Sequence, residues 1–198
     1  RALYNTVLGG MALDGKHFFY VNPLEVHPNT LKFNHIYDHV KPVRQRWFGC
    51  ACCPPNIARV LTSIGHYIYT QRDDALFVNL YIGNSTEVPV GEQTLRLRLS
   101  GNYPWQDQVK IVIDSPDPIT HTLALRLPDW CTNPHVALNG RDVAGTVKKG
   151  YLHINRTWRE GDTLTLTLPM PVRRVYGNPL VRHVAGKVAI QRGPVVYC

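Results

Sequence analysis

The stretch HTLALRLP, residues 121–128, decides the fold of most of this chain. Its apolar and polar residues alternate with a period of two, which is typical of a β-strand with one buried face. The pattern recurs about every ten residues from Ala75 onward, with turn signals such as Asn139-Gly140 between the segments. The other segments are LFVNLYI, TLRLRLS, VKIVID, HVALNG, YLHIN, TLTLTLP and KVAIQ. This spacing predicts an antiparallel β-sandwich over residues 75–172.

The composition is that of an ordinary globular protein, because 44% of the 198 residues are hydrophobic and 18% are charged. The apolar runs are too short to span a bilayer, so no membrane partner is predicted. The net charge is +8, but Lys and Arg are scattered, and the densest clusters are pairs such as Lys148-Lys149. A solvated basic surface explains this pattern, and no nucleic-acid partner is predicted.

The chain changes character near residue 72. Helical periodicity over residues 2–13 and 55–70 predicts two helices, with an irregular loop over 22–46 between them. Two helices cannot make a domain, so the first part is expected to be the tail of a larger helical domain, and the chain a fragment. The predicted domains are 1–72, helical; 73–172, the β-sandwich; and 173–198, the start of a further β-region.

Three of the five cysteines lie in FGCACCPPN, residues 48–56. An odd count and the adjacent pair Cys52-Cys53 argue against a disulfide framework, and favour a reducing, cytoplasmic location with a role for thiolates. The helix predicted after Pro54 would stabilise negative charge at these sulfurs. Spacing alone leaves two interpretations open, a zinc site and buried structural cysteines. Cys131, within LPDWCTN, is predicted to be a packing residue.

The chain resembles glycoside hydrolase family 127, the β-L-arabinofuranosidase family. The resemblance rests on RALYNTVLGGMALDGKHFFYVNPLE, WFGCACCPPNIAR, LRLPDW and GKVAIQRGPVVYC. It implies an α+β, mainly β chain in which the tail of an (α/α)6 barrel is followed by an antiparallel β-sandwich.

The resemblance also implies a mechanism, that of a retaining glycosidase with a zinc-bound cysteine nucleophile acting on arabinofuranosides. Matching its motif makes Cys52 the nucleophile and a zinc ligand, Cys53 a second zinc ligand, and Tyr20 a residue of the sugar pocket. The family's other two ligands, from a Glu-x-Cys motif, and its acid/base glutamate are absent from these residues. The chain alone is therefore expected to be inactive. The oligomeric state, including a homodimer, is left open.

Several residues have a competing, simpler interpretation. Cys50 either orients the site or fills space, and the space-filling role is favoured. Glu25 is favoured as a surface residue. The histidines of the 22–46 loop (His27, His35 and His39) lack a metal-binding spacing and are favoured as solvated residues. The alternative function is a non-catalytic module, in which the cysteines form a structural metal site and the sandwich binds carbohydrate or a partner. A trapping reagent for nucleophilic thiols separates the two functions.

Overall fold

The computed structural model describes residues 2–23, 25–31, 35, 38–50, 52–72 and 74–197. It divides into two compact units, residues 63–170 and residues 1–62 together with 171–198. The predicted domain boundaries at 72 and 172 stay a prediction. In the described part of the chain, no helix has the length and apolar character needed to cross a membrane.

The unit of residues 63–170 contains two β-sheets. One has five strands in the order β1-β2-β6-β10-β9, and the other has six in the order β3-β4-β5-β11-β7-β8. Helix α3 is Gly65–Ile68, and the strands are β1 Tyr69–Arg72, β2 Ala75–Val78, β3 Asn84–Val90, β4 Gln93–Gly101, β5 Gln108–Ile113, β6 Ile119–Arg126, β7 His135–Leu138, β8 Arg141–Asp142, β9 Thr146–Lys148, β10 Tyr151–Trp158 and β11 Thr163–Thr167.

Alternating side chains of both sheets meet in one hydrophobic core. Leu97 pairs with Ile113 and lies in the six-stranded sheet, whereas Leu123 and Trp158 come from the five-stranded sheet, and all four are almost fully buried. Burying one such side chain contributes about 1.5–3 kcal/mol. The Trp158 Nε1–H donates a 2.9 Å hydrogen bond to the backbone oxygen of His121, so the buried indole is also satisfied as a donor. The period-two pattern therefore predicted this core correctly.

One strand pair departs from the predicted antiparallel arrangement. β2 and β6 are parallel, with Leu76 opposite Leu123 and Val78 opposite Leu125. Between them the chain passes through β3, β4 and β5 of the other sheet. A parallel pair needs such a long crossover connection, whereas a short hairpin makes only antiparallel neighbours. All other strand pairs between described residues are antiparallel.

The unit of residues 1–62 and 171–198 contains the described helices of the first part of the chain and a three-stranded sheet. Its elements are a π-helix at Leu3–Leu8, α1 Pro28–Leu31, α2 Cys53–Ser63, β12 Val172–Tyr176, a 3-10 helix at Arg182–Val184, β13 Val188–Arg192 and β14 Val195–Tyr197. The side-chain amide of Asn5 joins the π-helix to β14, because it accepts from Val196 N at 2.8 Å and donates to Pro194 O at 2.9 Å.

Three helical predictions need correction. The first helix does not reach residue 13, because Met11 pairs in a β-bridge with Phe18. The helix predicted over 55–70 is two helices, α2 Cys53–Ser63 and α3 Gly65–Ile68, and Tyr69 already begins β1. A short helix over Arg182–Val184 follows residue 70, where none was predicted. The barrel tail implied for residues 1–72 stays a prediction. Part of the 22–46 loop lies outside the described residues, and α1 falls within the described part.

Candidate active site

Three thiols lie together at the N-terminus of α2. Cys53 is the first residue of this helix, and Cys52 immediately precedes it. The Cys52 sulfur lies 3.5 Å from the Cys50 sulfur, which donates to it, and 3.8 Å from the Cys53 sulfur. Asn56 Nδ2 donates to Cys52 O at 2.9 Å, which fixes the backbone where the helix begins. Cys50 and Cys52 are exposed and Cys53 is half-buried, so the sulfurs are accessible to a ligand.

Tyr20 approaches the same sulfur from a different segment. Its hydroxyl lies 2.8 Å from Cys52 Sγ. The pKa of Tyr20 is raised well above its usual value of 10.0, first by the hydrogen bond with Cys52 and then by those with Cys53 and Cys50. A phenol with a raised pKa keeps its proton at neutral pH and is therefore a hydrogen-bond donor to a thiolate.

Aromatic packing and a backbone bridge hold Tyr20 in place. Phe18 and Gln45 exchange two backbone hydrogen bonds, both 2.9 Å long. The ring of the buried Phe48 lies 5.3 Å from the Phe18 ring and 5.5 Å from the Tyr20 ring, centroid to centroid. His39 packs edge-on against Tyr20 with centroids 5.7 Å apart. These contacts tie the Tyr20 ring to the segment that leads into the cysteines.

The sulfur positions are compatible with half of a zinc site. Two thiolates bound to a tetrahedral zinc at about 2.3 Å are separated by about 3.8 Å, which is the distance between the sulfurs of Cys52 and Cys53. A structural or catalytic site needs further ligands. No cluster of three or more His, Cys, Asp or Glu in the described ranges is arranged to hold a metal ion. The Cys52 and Cys53 pair therefore fits zinc as two ligands of a larger set.

Three other candidate residues of the sequence, Glu25, His27 and His35, take part in ion pairs. Glu25 pairs with Lys187 and, at 3.0 Å, with His27, and His35 pairs with Asp38 at 3.5 Å. These pairs agree with the interpretation of the residues as solvated. Cys131 is buried in the core of the sandwich, as predicted for a packing residue.

Sequence reasoning missed the residues that support Tyr20. His39 was grouped with the solvated histidines, and Phe48 was quoted only as part of the cysteine motif. Neither has a local pattern that points to Tyr20, which is 19 positions before His39 and 28 before Phe48. Cys50 is exposed and donates to Cys52, so of its two interpretations the structure favours orientation of the site over filling of a buried space.

Family models for one group of proteins match successive parts of the chain. The catalytic-domain model of GH127 beta-L-arabinofuranosidase matches residues 1–66, the middle-domain model matches 75–170, and the C-terminal domain model of glycoside hydrolase family 127 matches 172–198.

Individual relatives agree with the models. The non-reducing end beta-L-arabinofuranosidase of Bifidobacterium longum subsp. longum is 38% identical over 206 residues, which is 100% of this chain and 30% of that protein. The crystal structure of a GH127 beta-L-arabinofuranosidase from Geobacillus stearothermophilus T6 is 50% identical with a TM-score of 0.88, over 98% of this chain and 31% of that one. A second solved GH127 beta-arabinofuranosidase is 34% identical with a TM-score of 0.84, over 99% of this chain and 32% of that one.

The chain is mainly β, with antiparallel sheets and a cluster of thiols at a helix N-terminus. Throughout its length it is similar to glycoside hydrolases. The chain belongs to glycoside hydrolase family 127. It spans about a third of the length of the relatives that it matches.

Proposed function

We propose that these residues are part of a retaining glycoside hydrolase that releases L-arabinose from β-L-arabinofuranosides, with Cys52 as the nucleophile. The observation that carries the proposal is the environment of one atom. Cys52 Sγ is exposed, lies 2.8 Å from the Tyr20 hydroxyl and accepts from the Cys50 thiol. A thiolate is the form of a cysteine that attacks carbon, and the exposed position leaves this side chain open to a substrate.

Retaining glycosidases ordinarily use two carboxylates, one that attacks the anomeric carbon and one that moves the proton. Here the Cys52 sulfur takes the first role: it forms a bond to the anomeric carbon as the bond to the leaving oxygen breaks. Water then displaces the sulfur and restores the thiolate. The Tyr20 hydroxyl donates to the Cys52 sulfur before the attack and again after the sugar is released. It therefore stabilises the negative charge of the thiolate at the start and at the end of the reaction.

Cys52 and Cys53 are the residues of this chain that we propose as zinc ligands. Bound zinc would keep the coordinating sulfurs deprotonated and make the Cys52 sulfur a better leaving group. The remaining ligands and the acid/base carboxylate are proposed to come from the parts of the relatives' length that this chain does not span. A reducing, cytoplasmic location belongs to the same proposal, because the reaction needs a free thiolate at Cys52.

The proposal is tested by assaying an aryl β-L-arabinofuranoside with the whole protein and with residues 1–198 alone. The whole protein should turn the substrate over, whereas Cys52→Ser and the 198-residue chain should not, because a hydroxyl stays protonated and half of the site is missing. Turnover by the 198-residue chain, or near-normal turnover by Cys52→Ser, would refute the proposal.

A further inference from the structure

The function proposed above uses the Cys50 thiol only as a hydrogen-bond donor to Cys52. This side chain is exposed, and its sulfur is the nearer of the two thiol neighbours of Cys52 Sγ, at 3.5 Å against 3.8 Å for Cys53. A disulfide bond is about 2.0 Å long, so the Cys50 and Cys52 sulfurs, now 3.5 Å apart, must approach each other before they can bond. Both residues are exposed, so a small oxidant can approach them from solvent.

Cys53 is a poorer partner for Cys52. A bond between adjacent cysteines closes a small ring that includes the peptide link, and this strains the bridge. Cys53 also lies within α2 and is half-buried, so its side chain is held by the helix. The residue between Cys50 and Cys52 provides the additional backbone link that a less strained bridge needs.

We propose that Cys50 and Cys52 form a reversible disulfide, in which Cys50 is the resolving thiol that protects Cys52 from irreversible oxidation. The oxidant is a hydroperoxide. It transfers one oxygen to the Cys52 sulfur, which becomes a sulfenic acid as the peroxide is reduced to water or an alcohol. The Cys50 sulfur then attacks the Cys52 sulfur: the S–S bond forms, the S–O bond breaks, and the hydroxyl leaves with the Cys50 proton as water. A dithiol reductant restores both thiols and is itself oxidised to a disulfide.

The disulfide would block the atom that the proposed function uses as nucleophile and zinc ligand. The inference itself rests on the positions of the thiols and not on that activity. Without a resolving thiol, a sulfenic acid proceeds to sulfinic acid, which dithiols do not reduce. Cys50 should therefore decide whether oxidation at this site is reversible.

The test uses the whole protein, exposed to a small excess of hydrogen peroxide, alkylated and digested with trypsin without reduction. Cleavage after Arg46 and Arg59 releases residues 47–59, which carry all three thiols on one peptide. The expected product has lost two hydrogen atoms and carries a single alkyl group, on Cys53. A Cys52–Cys53 bond with the alkyl group on Cys50 would overturn the proposal, and so would three alkylated thiols in the treated protein.

A variant tests the protective role separately. After peroxide and then dithiothreitol, the wild type and a Cys131→Ser control should return peptide 47–59 to the fully reduced mass. Cys50→Ser should instead accumulate a peptide with two added oxygens on Cys52. Equal recovery of reduced Cys52 in Cys50→Ser and the wild type would contradict the role of Cys50. Because each readout is a peptide mass, the inference can fail while the proposed glycosidase activity stands, and the reverse also holds.

Discussion

The hydroxyl of Tyr20 lies 2.8 Å from the sulfur of Cys52, although 32 positions separate the two residues. The contact depends on the Phe18–Gln45 bridge and on Phe48, whose ring packs against both Phe18 and Tyr20. A tyrosine hydroxyl thus lies within hydrogen-bond distance of a sulfur at a helix N-terminus.

Tyr20→Phe removes the hydroxyl and keeps the ring that packs on Phe48. A hydrogen bond to a charged group contributes about 1.5–3 kcal/mol, so kcat/KM for an arabinofuranoside should fall roughly ten- to hundredfold. The matched control is Tyr67→Phe, which removes the hydroxyl of an exposed tyrosine in α3. An unchanged kcat/KM in Tyr20→Phe would show that the bond to Cys52 has no part in the reaction.

Cys53→Ser and Cys131→Ser should separate metal binding from packing. Cys53→Ser should lower the zinc content of the purified protein, measured by atomic absorption, because a serine hydroxyl is a poor zinc ligand. Cys131→Ser places a hydroxyl in the sandwich core and should lower the free energy of unfolding by about 1–3 kcal/mol, with zinc content unchanged. Equal zinc content in Cys53→Ser and the wild type would remove Cys53 from the ligand set.

The ion pair of Glu25 with Lys187 should stabilise the fold in a pH-dependent way. Lys187, and to a smaller extent His27, lowers the pKa of the Glu25 carboxyl below its usual value of 4.5. A lowered carboxyl pKa adds stability above the unfolded-state pKa, and this stability is lost as the pH falls through the folded-state pKa. Glu25→Gln should therefore lower the unfolding midpoint slightly at about pH 7, and the difference should shrink towards about pH 3.

The control for this prediction is Glu92→Gln, which changes an exposed glutamate in the turn between β3 and β4. Its small effect on the unfolding midpoint should not depend on pH in the same way. A difference between Glu25→Gln and the wild type that grows on acidification would contradict the assigned sign.

The strands with a buried alternating face were predictable, and the polar strands were not. β4 and β6 alternate apolar and polar residues, so period two reveals them without further information. β3, Asn84–Val90, was missed because Val88 is its one buried side chain and Pro89 suggests a break. Strand β1 was missed for a similar reason, since Tyr69–Arg72 is mostly exposed. Both segments are extended because they form hydrogen bonds with a neighbouring strand. Such pairing leaves no pattern of apolar and polar residues in the local sequence.

The sequence showed the three cysteines close together, whereas it did not show which side chains contact them; the chemical role of the cysteines stays a prediction. The C-x-C-C spacing before a predicted helix favoured a role for thiolates, and it left a zinc site and buried structural cysteines as alternatives. Tyr20 is predicted by the resemblance alone, and no sequence pattern predicts that His39 and Phe48 pack against it. Their contacts join segments that are far apart in the chain. No short motif predicts such contacts, because they form only when the chain folds and brings these segments together.

The most direct test of the central claim is to map the residue that an arabinofuranose-derived inactivator labels in the whole protein. Tryptic peptide 47–59 should gain the mass of the sugar adduct, and fragmentation should locate it on Cys52. Cys52→Ser should remain unlabelled, and saturating substrate should protect the wild type. A label on a carboxylate, together with near-normal turnover in Cys52→Ser, would contradict the cysteine nucleophile and leave the thiols as a metal site only.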